Sequence, residues 1–293
     1  MDFSFIIDSM TFSYSRIGGF ENCKFAWKMN YIDDDRGESN FFAEYGLLVH
    51  DVLEKYFKNE LDIFELSDYY KKNYDNFIQT SPPPFPANMG DDYYNKGLEF
   101  FDNFDFPIDE YEIISVEDTF HIDINGFNVI IKPDLVVKHR SSGKYSLVDY
   151  KSSILFKRAD FGKQLVKMTK GKKIETFVYK SNDKKESMEK YKKQMFLYCY
   201  GIEKYYGIKI DYIRIWFPRQ DRTYTFRYDQ DKCNETIKWF LGEIDKIKAE
   251  KDWKPITDGM TEKQLKNQKY WCSYICGYTE RCPYAADRLL LEN

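Results

Sequence analysis

Apolar residues recur at helical spacing through "FFAEYGLLVHDVLEKYF", where Leu48, Val52, Leu53 and Phe57 fall on one face and predict an amphipathic helix. "SPPPFPANMG", Ser81 to Gly90, is a rigid proline-rich break between two helical stretches. From about Tyr111 the period changes. "EIISVEDTFHIDI" and "FNVIIKPDLVVKH" read as β-runs joined at Asn125-Gly126, a dipeptide that favours a tight hairpin. "KYSLVDYKS" supplies a third strand after Ser141-Ser142-Gly143. A long helix is predicted over about Lys185 to Tyr206, strands at "DYIRIWFP" and "TYTFRYD", and a further helix near Glu235 to Ala249. Strands, a helix and a return to strands predict an α/β sheet core, with an N-terminal helical region packed on it.

The chain has 293 residues, 18% of them aromatic, which is ample material for a core. No run of 18 or more apolar residues occurs, so no membrane span is expected. "MDFSFIIDSM" has neither a basic leader nor a small-residue cleavage site, and a cytoplasmic protein is the expectation. The net charge of −4 hides a segregation of charge. Acids dominate between Tyr31 and Thr119, whereas Lys157, Arg158, Lys163 and Lys167 belong to a basic stretch running from Lys151 to Lys185. That stretch is either a solvated loop or a flank that binds phosphates.

Acids and one lysine cluster on the predicted strands. Glu117 falls on the first, Asp134 near the middle of the second, and Asp149 with Lys151 on the third. Alternate side chains of a strand share a face, so Asp149 and Lys151 point one way and Tyr150 the other. Adjacent strands can bring Asp134 and Asp149 together. Two close carboxylates repel unless a cation lies between them. A hard divalent ion, Mg²⁺ or Mn²⁺, suits such an oxygen-rich pocket.

The spacing Pro133-Asp134 followed by Asp149-Tyr150-Lys151 resembles the PD-(D/E)XK nuclease superfamily. Three further features are similar to its RecB-like iron–sulfur branch, which includes AddB nuclease domains and CRISPR-adaptation nucleases. These are His50 in an N-terminal helix, Gln194 and Tyr198 one helical turn apart, and one early cysteine, Cys23, with a late trio, Cys272, Cys276 and Cys282. The late trio reads Cx3Cx5C where that branch commonly has Cx2Cx5C.

The resemblance implies a restriction-endonuclease-like α/β core with a mixed central sheet and a C-terminal cysteine-rich segment. It implies a single nuclease domain over 1–293, with helices in 1–109, the core in 110–230 and the cysteine-bearing end in 231–293. His50, Asp134, Asp149 and the Tyr150 backbone carbonyl would hold Mg²⁺ or Mn²⁺. Lys151 would assist the attacking water, Gln194 and Tyr198 would position the strand or Lys151, and Glu117 would support the site. Cys23, Cys272, Cys276 and Cys282 would ligate a [4Fe–4S] cluster, with Zn²⁺ as the alternative. Cys199 and Cys233, in helical segments, are expected to fill core space.

The implied activity is DNA exonuclease cleavage of single strands or ends in phage or bacterial replication, recombination or repair. The setting would be the bacterial host cell if the chain is phage-encoded. The sequence has no GxxxxGK[ST] phosphate loop, so a helicase or replication partner would be a separate protein. Two alternatives stand beside this reading: a CRISPR-adaptation-type nuclease, and a catalytically silent module that binds DNA or a replication protein.

Overall fold

The computed structural model describes residues 3–153, 164–169, 172–177 and 182–283. Helices α1 (Ser4–Asp8), α2 (Tyr14–Asn22), α3 (Lys24–Tyr31), α4 (Phe41–Phe57), α5 (Leu66–Phe77) and α6 (Met89–Asp102) come first. Strands β1 (Tyr111–Val116), β2 (Phe120–Ile124), β3 (Phe127–Ile131), β4 (Leu135–His139), β5 (Tyr145–Tyr150), β6 (Gln164–Thr169) and β7 (Lys172–Phe177) follow. The chain continues through α7 (Asn182–Tyr206), β8 (Ile210–Phe217), β9 (Arg222–Arg227), α8 (Gln230–Ala249) and α9 (Glu262–Tyr274).

Five strands form one mixed sheet in the order β1-β4-β5-β8-β9. β5 is its middle strand, antiparallel to β4 and parallel to β8. The α7 crossover makes the parallel pairing possible, because two parallel strands cannot be joined by a tight turn. The alternating burial of these strands feeds two cores. Val136, Leu147, Ile213, Ile215 and Phe217 face α7, α8 and α2. Leu135, Val137, Val148 and Tyr150 face α4, α5 and α6. The result is three layers, helices on both faces of a sheet.

The two long β-runs read from the sequence do not form one continuous hairpin. Each breaks in the middle. β2 and β3 pair with each other in a separate two-stranded sheet, with Phe12 bridged to Val129 of β3, while β1 and β4 join the main sheet. The breaks have local causes. Glu117 adopts a left-handed φ of 54°, which ends β1. Pro133, which has no N–H to give to a ladder, separates β3 from β4. Glu117 therefore lies just past its strand and Asp134 just before its own, a correction to the placement of both on strands. The hairpin then packs under α7, where a Cβ on Gly201 would come within 2.2 Å of Ile131 Cδ1.

α4 is the helix the apolar period predicts. Asn40 caps it, its Oδ1 accepting from Phe42 N and Ala43 N at 3.0 and 3.1 Å. Glu44, buried in the first turn, accepts from Gln79 N, Thr80 N and Thr80 Oγ1 at 3.0, 2.8 and 2.7 Å. It thereby fixes the start of the proline-rich break. Burial would raise the Glu44 carboxyl pKa, but the hydrogen bonds from Thr80 and Gln79 hold it below the ordinary value. Glu44→Gln is expected to cost about 2 kcal/mol near neutral pH, since it replaces a charged acceptor by one that presents an amide to the same donors. A depressed folded pKa stabilises above the unfolded value and is lost as pH falls through the folded one. The difference from wild type in urea midpoints should therefore close below about pH 4. An undiminished gap in acid would disprove the carboxylate's part.

Among the described residues no helix is long and apolar enough to cross a membrane. Cys199 and Cys233 are buried between α7 and α8, as core filling requires. The basic stretch contains the antiparallel β6–β7 pair. Lys157, Arg158 and Lys163 lie outside the described residues, and Lys167 falls in β6, whose side chains lie outside them too.

Candidate active site

The parallel strands β5 and β8 end side by side, Tyr150 opposite Trp216, with Lys151 N donating to Trp216 O at 2.8 Å. The crevice beyond the carboxyl ends of parallel strands is where open α/β sheets place ligands. Here it gathers chemistry from five places in the chain: α4, the end of β1, the start of β4, the end of β5, and α7.

His50, on α4, sets its Nδ1 2.7 Å from Glu117 Oε1 and 3.8 Å from Asp134 Oδ1. One ligand atom from each of these three residues lies within 4.8 Å of the others, a spacing that suits a metal ion. The left-handed turn brings Glu117 here, and its N–H donates to the Asp134 carbonyl at 3.0 Å. Asp134 in turn accepts from Tyr150 N through Oδ2 at 2.6 Å, which ties the PD turn to the end of β5. The Tyr150 ring packs edge-on against His50, centroids 5.7 Å apart, and stacks on Phe57 at 6.3 Å.

Asp149 is 1% exposed. Lys151 Nζ pairs with its Oδ2 at 2.7 Å, and its Oδ1 has no hydrogen-bond partner. Lys151 itself donates to Gln194 Oε1 at 2.9 Å, and Gln194 Nε2 donates to Tyr198 OH at 2.9 Å. Gln194 and Tyr198 are one turn apart on α7, so a single helix face supplies both.

The electrostatics follow from the burial. Asp134 is pushed up to about 7, first by burial and then by the Asp149 charge. Burial alone would lower His50, but Asp134 and the Glu117 hydrogen bond raise it to about 9. Burial opposes the charge on Lys151 as well, yet Asp149 and Asp134 hold its pKa above the ordinary lysine value. Three buried carboxylates and an imidazole make an oxygen-rich donor set of the kind a hard divalent cation takes.

Sequence reasoning missed two contributors. Lys132 Nζ lies 2.8 Å from Glu117 Oε2 and anchors that carboxylate on its outer side. Tyr191, one turn before Gln194, sets its ring 5.2 Å from Lys151 Nζ and its hydroxyl 3.0 Å from Ser153 Oγ. The signals were present, since Lys132 adjoins Pro133 and Tyr191 shares the helix face of Gln194. Neither residue type is diagnostic on its own.

Cys23, Cys272, Cys276 and Cys282 line one small cavity with Phe25, Ala26, Pro255, Ile256 and Trp271. Cys23 joins α2 to α3. Cys272 lies within α9. A capping box between Thr261 and Gln264 starts that helix. Burial, and then the neighbouring Cys276, push the Cys272 thiol up to about 11, with Cys23 and Cys282 adding to the effect. No disulfide joins any of the six cysteines. Four thiols crowded around an apolar cavity are a donor set that fits a thiolate-bound metal or cluster.

No curated protein matches the sequence. The solved "Crystal structure of SSO0001" is 14% identical, covering 89% of this chain and 95% of that one, with a TM-score of 0.30, too loose a likeness to carry an argument. The family model of the PD-(D/E)XK nuclease superfamily matches residues 11–166, just over half of the chain. That span holds His50, Glu117, the Pro133-Asp134 turn and the Asp149-Tyr150-Lys151 strand end, the same residues the fold brings into one crevice. On this match the chain belongs to the PD-(D/E)XK nuclease superfamily.

Proposed function

We propose that the protein is a metal-dependent DNA exonuclease of the RecB-like iron–sulfur branch, a single domain that acts on single strands or ends. Its work would lie in phage or bacterial replication, recombination or repair, beside a separate helicase or replication protein. The observation that carries the reading is Asp149. A buried carboxylate paired only on Oδ2, with a lysine that Gln194 fixes, and left without a hydrogen bond on Oδ1, is costly to keep unless the charges are used.

In this reading His50, Asp134, Asp149 and the Tyr150 carbonyl hold Mg²⁺ or Mn²⁺, with Glu117 fixing the His50 ring. Bound there, the ion would supply Lewis acidity to a phosphoryl oxygen and make a water a better nucleophile. The side chains do the rest. With its pKa held high, Lys151 is an ammonium at neutral pH, so it acts as a hydrogen-bond donor and counter-charge rather than as a base. Asp149 and Gln194 hold its Nζ from two sides, and Tyr198 fixes the Gln194 amide. Lys157, Arg158, Lys163 and Lys167 would meet the DNA backbone.

We assign the four cysteines to a [4Fe–4S] cluster rather than zinc. The ground is the layout of one early cysteine and a late trio, which is similar to that of the iron–sulfur branch, and all four line one cavity.

The test is cleavage of end-labelled linear and circular single-stranded DNA in Mn²⁺ by anaerobically purified protein, beside Lys151→Ala. The linear strand should be degraded and the circle spared. Lys151→Ala, still folded, should be slower by about a hundredfold or more. Cutting of the circle would make the enzyme an endonuclease. A folded, metal-loaded wild type that binds DNA but cuts neither would restore the silent-module reading.

A further inference from the structure

The cysteine-bearing end is strapped onto the stretch that leads into α4. Glu38 N donates to Gly277 O at 2.9 Å, Tyr278 OH to Asp35 O at 2.9 Å, and Arg281 Nη2 to Arg36 O at 3.1 Å. Arg281 Nη1 also pairs with the Asp35 carboxylate. The two segments approach so closely that a Cβ on Gly277 would lie 2.2 Å from Glu38 O. This strap ends at Asn40. Its Nδ2 donates to Ile275 O at 3.0 Å, while its Oδ1 caps α4 through Phe42 N and Ala43 N. One side-chain amide thus holds both the first turn of α4 and the backbone between Cys272 and Cys276. Ten residues on, about 15 Å along the helix, α4 presents His50.

We propose that Asn40 is a positioning residue that ties the four-cysteine segment to the His50 helix. The state of the cysteines then sets how firmly α4 presents His50 to Asp134 and Glu117. The proposal rests on the reading of that group as a cation site. An aspartate would cap the helix equally well, but only the amide also donates to a carbonyl. The effect is local. Nine buried residues along α4 keep the helix in place, so the tether governs its first turns rather than its existence.

The experiment is a double-mutant cycle on the full chain with Asn40→Asp and Cys276→Ser. It is read by hydrogen exchange of the α4 amides and by calorimetric Mn²⁺ binding. Asn40→Asp keeps the cap and sets a carboxylate against the Ile275 carbonyl. Each single change should speed exchange in the first turns of α4 and weaken Mn²⁺ binding about fivefold, the worth of roughly one hydrogen bond. The double variant should be no worse than either single one. Independent, additive losses overturn the proposal, as does Cys276→Ser exchange in α4 that matches wild type. Gly277→Ala perturbs the strap with all four cysteines present and should speed the same amides; unchanged exchange there counts equally against the tether. A wild type that binds no Mn²⁺ would remove the cation reading, while the exchange data would still decide the coupling.

Discussion

Asp149→Asn is expected to lower the rate of DNA cleavage in Mn²⁺ about a thousandfold while leaving the protein folded. The side chain keeps its volume, so the 1%-exposed site beside Leu147 and Val148 should not collapse. What changes is the charge and one of the two carboxylate oxygens. An amide NH₂ in that place points a donor at the Lys151 ammonium, which now lies 2.7 Å from a carboxylate oxygen. Lys151 would retain Gln194 Oε1 at 2.9 Å and the more distant Asp134 charge, so stability should fall by only about 1–2 kcal/mol. Single-turnover rates on end-labelled DNA, with circular dichroism as the check on folding, separate the two effects. A folded variant that cuts within tenfold of wild type would show that Asp149 is not part of the machinery.

The features that could be read from the sequence share a physical property: their signals are local or strongly periodic. α4 and α7 carry long apolar stripes, and the β5 run is short, apolar and bounded by turn residues. The pairs Pro133-Asp134 and Asp149-Lys151 are sequence neighbours, and Gln194 and Tyr198 share a helix face by spacing alone. What escaped was either weakly patterned or non-local. α1, α2 and α3 are short, and α9 is polar over much of its length, so no apolar period announces them. The breaks at Glu117 and Pro133 look like mere interruptions of two good β-runs. Only the pairing partners show that each run serves two sheets.

Contacts between distant parts of the chain were the least accessible. Lys132 holds Glu117, and Asn40 reaches Ile275 across 235 residues. No spacing rule links such positions. The placement of Glu117 differs from the expectation for the same reason. Its left-handed backbone, rare for a residue with a long side chain, persists because His50, Lys132 and the Asp134 carbonyl all hold it. Strain gathered at a site like this is a feature of function that propensities read as an error.

The same conflict between stability and use yields the second large effect. With metal removed by a chelator, Asp134→Asn is expected to be more stable than wild type by about 2 kcal/mol near pH 8. The asparagine oxygen can still accept from Tyr150 N, now 2.6 Å from Asp134 Oδ2, so the PD turn keeps its anchor. The charge it removes is one that burial and Asp149 oppose, raising the Asp134 pKa to about 7. The sign follows from linkage. With a folded pKa above the unfolded value of about 3.9, the unfolded chain gives up its proton first, and folding bears the full cost of the ionised form only above about pH 7. The advantage of the variant should therefore shrink as pH falls and vanish near about pH 4, where both forms are neutral. It is smaller than the pKa displacement alone suggests, because His50 and Lys151 lose an attractive partner. Adding Mn²⁺ should then reverse the order, since a cation that binds the native wild type stabilises it by mass action and the asparagine variant offers it one ligand fewer. Denaturant melts in chelator and in Mn²⁺ at both pH values read all four cases. If the variant is instead less stable in chelator near pH 8, attraction to His50 and Lys151 outweighs carboxylate repulsion, and the site is neutralised by its own side chains rather than poised for a divalent ion.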